Sequence, residues 1–277
     1  AKYQDVLEEK YEQEKQRIEE IMELTSKASE TSVQDGNFVD PNNSVNQISK
    51  VMDMANGLKS VIAEINGEKV IINYDENGFF QNMSNVKEIS DGTYASMMEL
   101  DGTTVAVTLD KDGNAIKYPL EKITELADGT KRALGEIDGK KYVVDFDAKN
   151  NIIDMQEVIY NAEQFAGIME GLDGKTYRVT FDKDTLQQDI AEVTANIDGT
   201  YSLIDESSGH PIEIIMNNKG EVIGQIDGVR TSVADLDDRI NALNGNTIRP
   251  TIEGHQQTIS DLNNVTYNAD GTYTAIG

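Results

Sequence analysis

The sequence predicts an α+β fold: N-terminal helices, then repeated modules of about 36 residues, each a β-hairpin with a short helix, strung into an elongated chain. Three observations predict it. The chain opens on a Glu- and Lys-rich stretch whose apolar residues recur at three- and four-residue steps. From residue 59 onward, Asn-Gly and Asp-Gly pairs sit between runs rich in Val, Ile, Thr and Tyr. Those pairs are also evenly spaced, since Asn66, Asp101, Asp138 and Asp173 stand 35, 37 and 35 residues apart.

Residues 3–30 read as a charged helix, with Leu7, Tyr11, Ile18, Ile21 and Met22 along one side. Glu14 interrupts that stripe, so it makes an imperfect coiled-coil seam that would still allow copies to associate. Residues 29–44 are polar, with Gly36 and Pro41, and read as a linker. Val45, Ile48, Val51, Met52, Ala55 and Leu58 then suggest a short amphipathic helix, completing a helical segment over 1–58.

Residues 59–195 form the hairpin repeats. Asn-Gly and Asp-Gly tolerate the positive φ angles of tight turns, so VIAEINGEKVIINY, MMELDGTTVAVTL, LGEIDGKKYVVDF and IMEGLDGKTYRVTF each read as two strands and a turn. A second turn signal, Asp-Gly-Thr, stands at 91–93, 128–130, 198–200 and 270–272. Between hairpins, 116–127, 151–167 and 185–196 read as short helices, the last with Leu186, Ile190 and Val193 on one face. Residues 196–230 read as β-rich. Residues 231–277 read as a capped helix followed by the truncated start of a further repeat.

Composition excludes several functions. The net charge of −26 opposes binding to nucleic-acid phosphates. There is no Cys, hence no disulfide, thiolate metal site or cysteine nucleophile. The two histidines, His210 and His255, cannot build a multi-histidine centre within one chain, and both lie in polar segments. No stretch is long and apolar enough to span a bilayer as a helix. The polar, acidic start is no signal peptide, and the termini suggest a piece of a longer protein.

The sharpest candidate for chemistry is Asp110, Asp112 and Asn114 with Glu121, at positions 1, 3, 5 and 12 of a calcium-type loop. Ala115 stands where the sharp turn wants Gly, and Pro119 obstructs an exit helix, so a plain hairpin loop is the better reading. The acidic pairs Asp75/Glu76, Asp145/Asp147 and Asp182/Asp184 offer weak chelation or paired-carboxylate catalysis as alternatives, but solvated repeat faces explain them better. Phe79 and Phe80 read as core of the first repeat, with a contact patch as the alternative. No catalytic, cofactor-binding or metal-binding residue is assigned.

The stretches ADGTKRALGEIDGKKYVVDFD (127–147), ELDGTTVAVTLDKDGN (99–114) and GLDGKTYRVTFDKD (171–184) behind a charged helix resemble the middle region of tape measure proteins of phages from Gram-positive hosts. DLDDRINALNGNTIRPTIEG (235–254) is similar to modules of the same proteins. The family's long hydrophobic segment and hydrolase domains are absent from this sequence. The resemblance implies a non-enzymatic structural role in tail assembly and length definition, in the virion tail after assembly in the host cytoplasm. Its implied partners are other tail proteins or copies of itself, with no nucleic acid, membrane or cofactor. The rival expectations are a bacterial surface or adhesin repeat binding a host ligand, and a carboxylate-dependent hydrolase of cell-wall glycan.

Overall fold

The computed structural model describes residues 4–161, 164–207, 209, 211–227, 265–267 and 273–275. The chain divides into two units, residues 1–191 and 192–277. In the first, helix α1 (Gln4–Glu23) and the one-turn α2 (Thr25–Ser29) lead into a small hairpin of β1 (Ser32–Gln34) and β2 (Asn37–Val39). Short strands β3 (Asn46–Gln47) and β4 (Met52–Asp53) both pair with β5 (Lys59–Ile65), which continues through β6 (Glu68–Tyr74) to β7 (Phe80–Asn85).

An antiparallel meander follows, each strand pairing with the next. It runs through β8 (Lys87–Ser90), β9 (Thr93–Leu100), β10 (Thr103–Asp110), β11 (Ala115–Glu125), β12 (Lys131–Ile137) and β13 (Lys140–Phe146). It continues with β14 (Ile152–Asn161), β15 (Gln164–Glu170), β16 (Thr176–Asp182) and the first half of β17 (Gln188–Ala195). In the second unit the end of β17 pairs with β18 (Tyr201–Asp205), followed by β19 (Ile212–Met216) and β20 (Val222–Asp227). A separate pair joins β21 (Val265–Tyr267) to β22 (Tyr273–Ala275).

The hairpins stand where the turn chemistry puts them. Asn66-Gly67, Asp101-Gly102 and Asp138-Gly139 all have positive φ at both residues, as two-residue turns between right-twisted strands require. Asp173-Gly174 differs. The ladder there closes at Glu170 and Thr176, and of the two residues Gly174 has the positive φ.

The α+β expectation is overturned: the described fold is mostly β, and the short helices between hairpins are strands. Residues 116–127 lie largely in β11, 151–167 in β14 and the start of β15, and 185–196 in a turn and β17. The expected helix over 45–58 consists of β3, β4 and a single 3-10 turn at Ala55–Gly57, and the expected linker carries the β1–β2 hairpin.

The reason is that long strands serve two ladders. Residues 115–119 of β11 pair with β10, and 120–125 pair with β12 after a bulge between Leu120 and Lys122. In β14, Ile152–Val158 faces β13 and Ile159–Asn161 faces β15. In β11 the apolar residues also fall on both faces, with Tyr118 and Leu120 half-buried but Ile116 and Ile123 exposed, so their mixed spacing departs from two and imitates a helix.

The β5–β6, β9–β10 and β12–β13 hairpins bury side chains on both faces. Val61, Ala63, Val70 and Ile72 pack with Ile21 of α1 and Ala28 of α2. On the other face, Ile62 and Ile71 meet Met98, Val105 and Val107. Met97 and Ala106 in turn meet Ala133, Tyr142 and Val144, and Leu134 and Val143 meet Phe165, Tyr177 and Val179. Successive hairpins of the first unit therefore stack face to face, which supplies the cover that an isolated hairpin lacks in water.

Candidate functional site

Helix α1 lies across several hairpins of the first unit, touching them at or near turns. Val6 and Leu7 pack beside the cluster of Phe165, Tyr177 and Phe181. The Tyr11 and Thr130 hydroxyls are hydrogen-bonded at 2.9 Å, and the Lys15 ammonium donates to Asp128 at 2.6 Å. Lys87 donates to Glu14, and Arg17 donates to Glu68 at 2.7 Å. The helical stripe read from the sequence is therefore packed against the chain's own sheets, with Ile18 and Ile21 buried.

Beneath the N-terminal half of α1 lies a cleft of about 770 Å³, floored by Ile89, Leu126, Tyr142, Ile153 and Met155. Its lining carries eight carboxylates against three basic side chains, a balance that disfavours anionic ligands. Burial pushes the Tyr11 phenol above its ordinary range, against the opposing bond to Thr130. For Asp128, burial acts upward but is outweighed by Lys15 and by the Thr130 hydroxyl and amide, which hold the carboxyl down at about 2.

The most buried charges in the cleft wall are Arg132 and Asp145, 6% and 4% exposed. They face each other across the β12–β13 ladder. The Arg132 Nε and Nη2 atoms each donate to Asp145 at 2.7 Å. Nη1 donates to the Leu186 carbonyl at 3.1 Å, and Nη2 also reaches Gln188 at 2.8 Å. The guanidinium lies over the Phe181 ring at 5.1 Å. Burial raises the Asp145 carboxyl above its ordinary value despite the pull of Arg132. Burial also penalises the guanidinium, but its bonds to Asp145 raise it on balance. The two-pronged Arg132–Asp145 contact makes the two groups an ion pair at neutral pH.

The other marked carboxylates hold turns. Asp110 Oδ1 accepts from the amides of Asp112 at 2.9 Å and Asn114 at 3.0 Å, and Oδ2 accepts from the Asn114 side chain at 2.7 Å. Those bonds hold its carboxyl below the usual range. Glu121 lies in β11 and receives Lys141 at 2.5 Å. The four residues of the calcium-type pattern thus form a turn and a cross-strand ion pair.

Asp75 accepts from Asn77 and Phe79, and Asp147 from Lys149 and Asn151, in the same manner. Asp182 accepts from Asp184 and Thr185. Asp145 and Asp147 therefore do not act together. Among the described residues no group of three or more His, Asp and Glu side chains is placed to hold a metal ion. Phe80 packs against the first core, whereas Phe79 is 66% exposed, correcting its reading as core. His210, His255 and the expected helix over 231–245 lie outside the described residues.

Sequence reasoning missed Arg132, although the signal was there. Counting outward from the Asp138-Gly139 turn brings Arg132 opposite Asp145. It also missed Asn85, whose side chain bonds both backbone groups of Ile152 at 2.7 Å and ties β7 to β14.

No family model matches the chain, and no curated protein does. Among solved structures, a protein of unknown function from Bacteroides caccae aligns at 11% identity over 72% of this chain and 75% of its own, with a TM-score of 0.17. A luciferin-regenerating enzyme aligns at 12% over 66% and 80%, TM-score 0.16. A putative exported protein from Bacteroides fragilis aligns at 9% over 66% and 82%, TM-score 0.14. At TM-scores this low the likenesses carry neither fold nor function to this chain.

Proposed function

We propose that the chain is a non-enzymatic structural module of a phage or phage-like tail, related in role to tape measure proteins and working against other tail proteins. The observation that carries the structural half of this reading is how its marked carboxylates are used. Asp75, Asp110, Asp147 and Asp182 accept backbone amides in turns, and Asp145 is held by Arg132. A general acid or nucleophile needs oxygens free to meet a substrate, and these are engaged in holding hairpins together. The tail half rests on the resemblance of residues 99–114, 127–147 and 171–184 to tape measure modules. Association of copies through α1 has to compete with the packing of that helix on its own chain.

The test is peptide mass spectrometry of tails purified from particles of the host strain, paired with electron microscopy of particles whose gene lacks one repeat. The proposal expects the chain in the tail fraction and an altered tail length or failed assembly. Absence of the chain from purified tails would contradict it.

A further inference from the structure

Among the described residues, four two-residue Asx-Gly turns have positive φ at both positions, and they differ in one residue. Asp35, Asp101 and Asp138 open three of them, whereas the β5–β6 turn opens on Asn66, at nearly the same φ of 53° against 50°, 54° and 51°. Three features converge on that asparagine. The ladder closes at Ile65 and Glu68, so the Gly67 amide nitrogen lies outside it. Open space surrounds Gly67, where an added Cβ would meet nothing within 4 Å. The Lys27 ammonium, from α2, donates to Asn66 Oδ1 at 2.8 Å.

We propose that Asn66 is a self-modification site, in which Gly67 and Lys27 convert its side-chain amide to a carboxylate. The Gly67 nitrogen attacks Asn66 Cγ and forms a new C–N bond. The Cγ–Nδ2 bond breaks, and Nδ2 leaves as ammonia carrying the former Gly67 amide proton. Water then adds across one C–N bond of the cyclic imide, giving aspartate or isoaspartate. Nucleophile and electrophile are neighbours in one chain, so the attack is intramolecular. Lys27 places a positive charge at the oxygen on which negative charge develops. Glycine supplies the backbone freedom for ring closure.

The aspartyl product fits this turn, because Asp101 and Asp138 already occupy its equivalents. It also turns the neutral contact with Lys27 into an ion pair between α2 and the β5–β6 turn. Isoaspartate inserts an extra carbon into the backbone and is incompatible with a two-residue turn.

Asn77-Gly78 provides a control within the same chain. The Gly78 amide donates to the Asp75 carbonyl at 3.0 Å, and its carbonyl accepts from Val33 at 2.9 Å. The nucleophile is engaged and the peptide clamped.

The experiment incubates the folded chain at mildly alkaline pH and follows both asparagines by peptide mapping, with fragmentation that separates aspartate from isoaspartate. Conversion at Asn66 is expected well ahead of Asn77. Lys27→Met is expected to slow Asn66 several-fold without changing Asn77, and Lys27→Arg to restore most of the rate. Conversion of Asn77 as fast as Asn66, or an intact Asn66 over a period in which the urea-unfolded chain converts, would overturn the site. An unchanged rate in Lys27→Met would overturn the role given to Lys27.

Discussion

The interior of the β12–β13 hairpin and the turns that close the hairpins use the same side chain in opposite ways. Asp145 is withdrawn from water and met by a guanidinium. Asp110 at the end of β10 and Asp147 just past β13 stay nearer solvent and are met by amides of their own turn. In sequence all three are acidic residues at strand ends. What separates them is register: Asp145 is inside the ladder opposite Arg132, Asp147 lies past the last pair of the β13 ladders, and Asp110 closes the β9–β10 ladder and lies past the last β10–β11 pair. Position relative to a turn therefore decides whether a carboxylate shapes a loop or anchors an interior.

The largest expected effect lies inside the ladder. Asp145→Ala leaves Arg132 buried without its counter-charge and should cost about 3–5 kcal/mol, read from urea unfolding. Turn glycines should divide sharply. At Gly78, φ is +82° and a new Cβ would run into the Val33 carbonyl. At Gly67, φ is +88° in open space. Gly67→Ala should cost about 1 kcal/mol from backbone strain alone, and Gly78→Ala clearly more. Equal costs would mean that the β1 contact is not formed.

At the helix, Tyr11→Phe removes one part-buried hydrogen bond and should cost about 1 kcal/mol by the same assay. Lys15→Ala acts on a partly exposed ion pair, with side chains 28% and 43% exposed, and should cost at most about 1 kcal/mol, less in high salt.

The smallest effect is in pH. Folding holds Asp128 at about 2, below its ordinary 3.8, so it is the ionised form that folding favours. Its contribution is complete above about pH 4 and is lost as pH falls towards 2. Asp128→Asn should flatten the fall in urea midpoint across that window. An unchanged slope would show that Asp128 is not tied to Lys15 in solution.

Much of the fold was legible where chemistry is local. Asn-Gly and Asp-Gly specify positive φ, and the turns at 66, 101 and 138 stand where those pairs occur. The failures are equally specific. Residues 116–127 read as a helix because Ile116, Tyr118, Leu120 and Ile123 keep no single two-residue alternation, whereas burial along β11 does, with Tyr118 and Leu120 half-buried and Ile116 and Ile123 exposed. Leu186 sits in a turn at φ +56°, so its spacing to Ile190 and Val193 is a coincidence of chain order. Nothing in a single sequence marks a strand that leaves one partner for another. The ion pair at Arg132 was readable from register; the cleft under α1 was not, since it depends on which hairpins the helix crosses.

The most direct test of the account is a double-mutant cycle on the ion pair, comparing Arg132→Met, Asp145→Leu and the double variant by urea unfolding. If these charges hold structure, each single variant should lose about 3–5 kcal/mol and the double variant should recover most of that loss. Single variants that keep wild-type stability, with no coupling between them, would contradict the account.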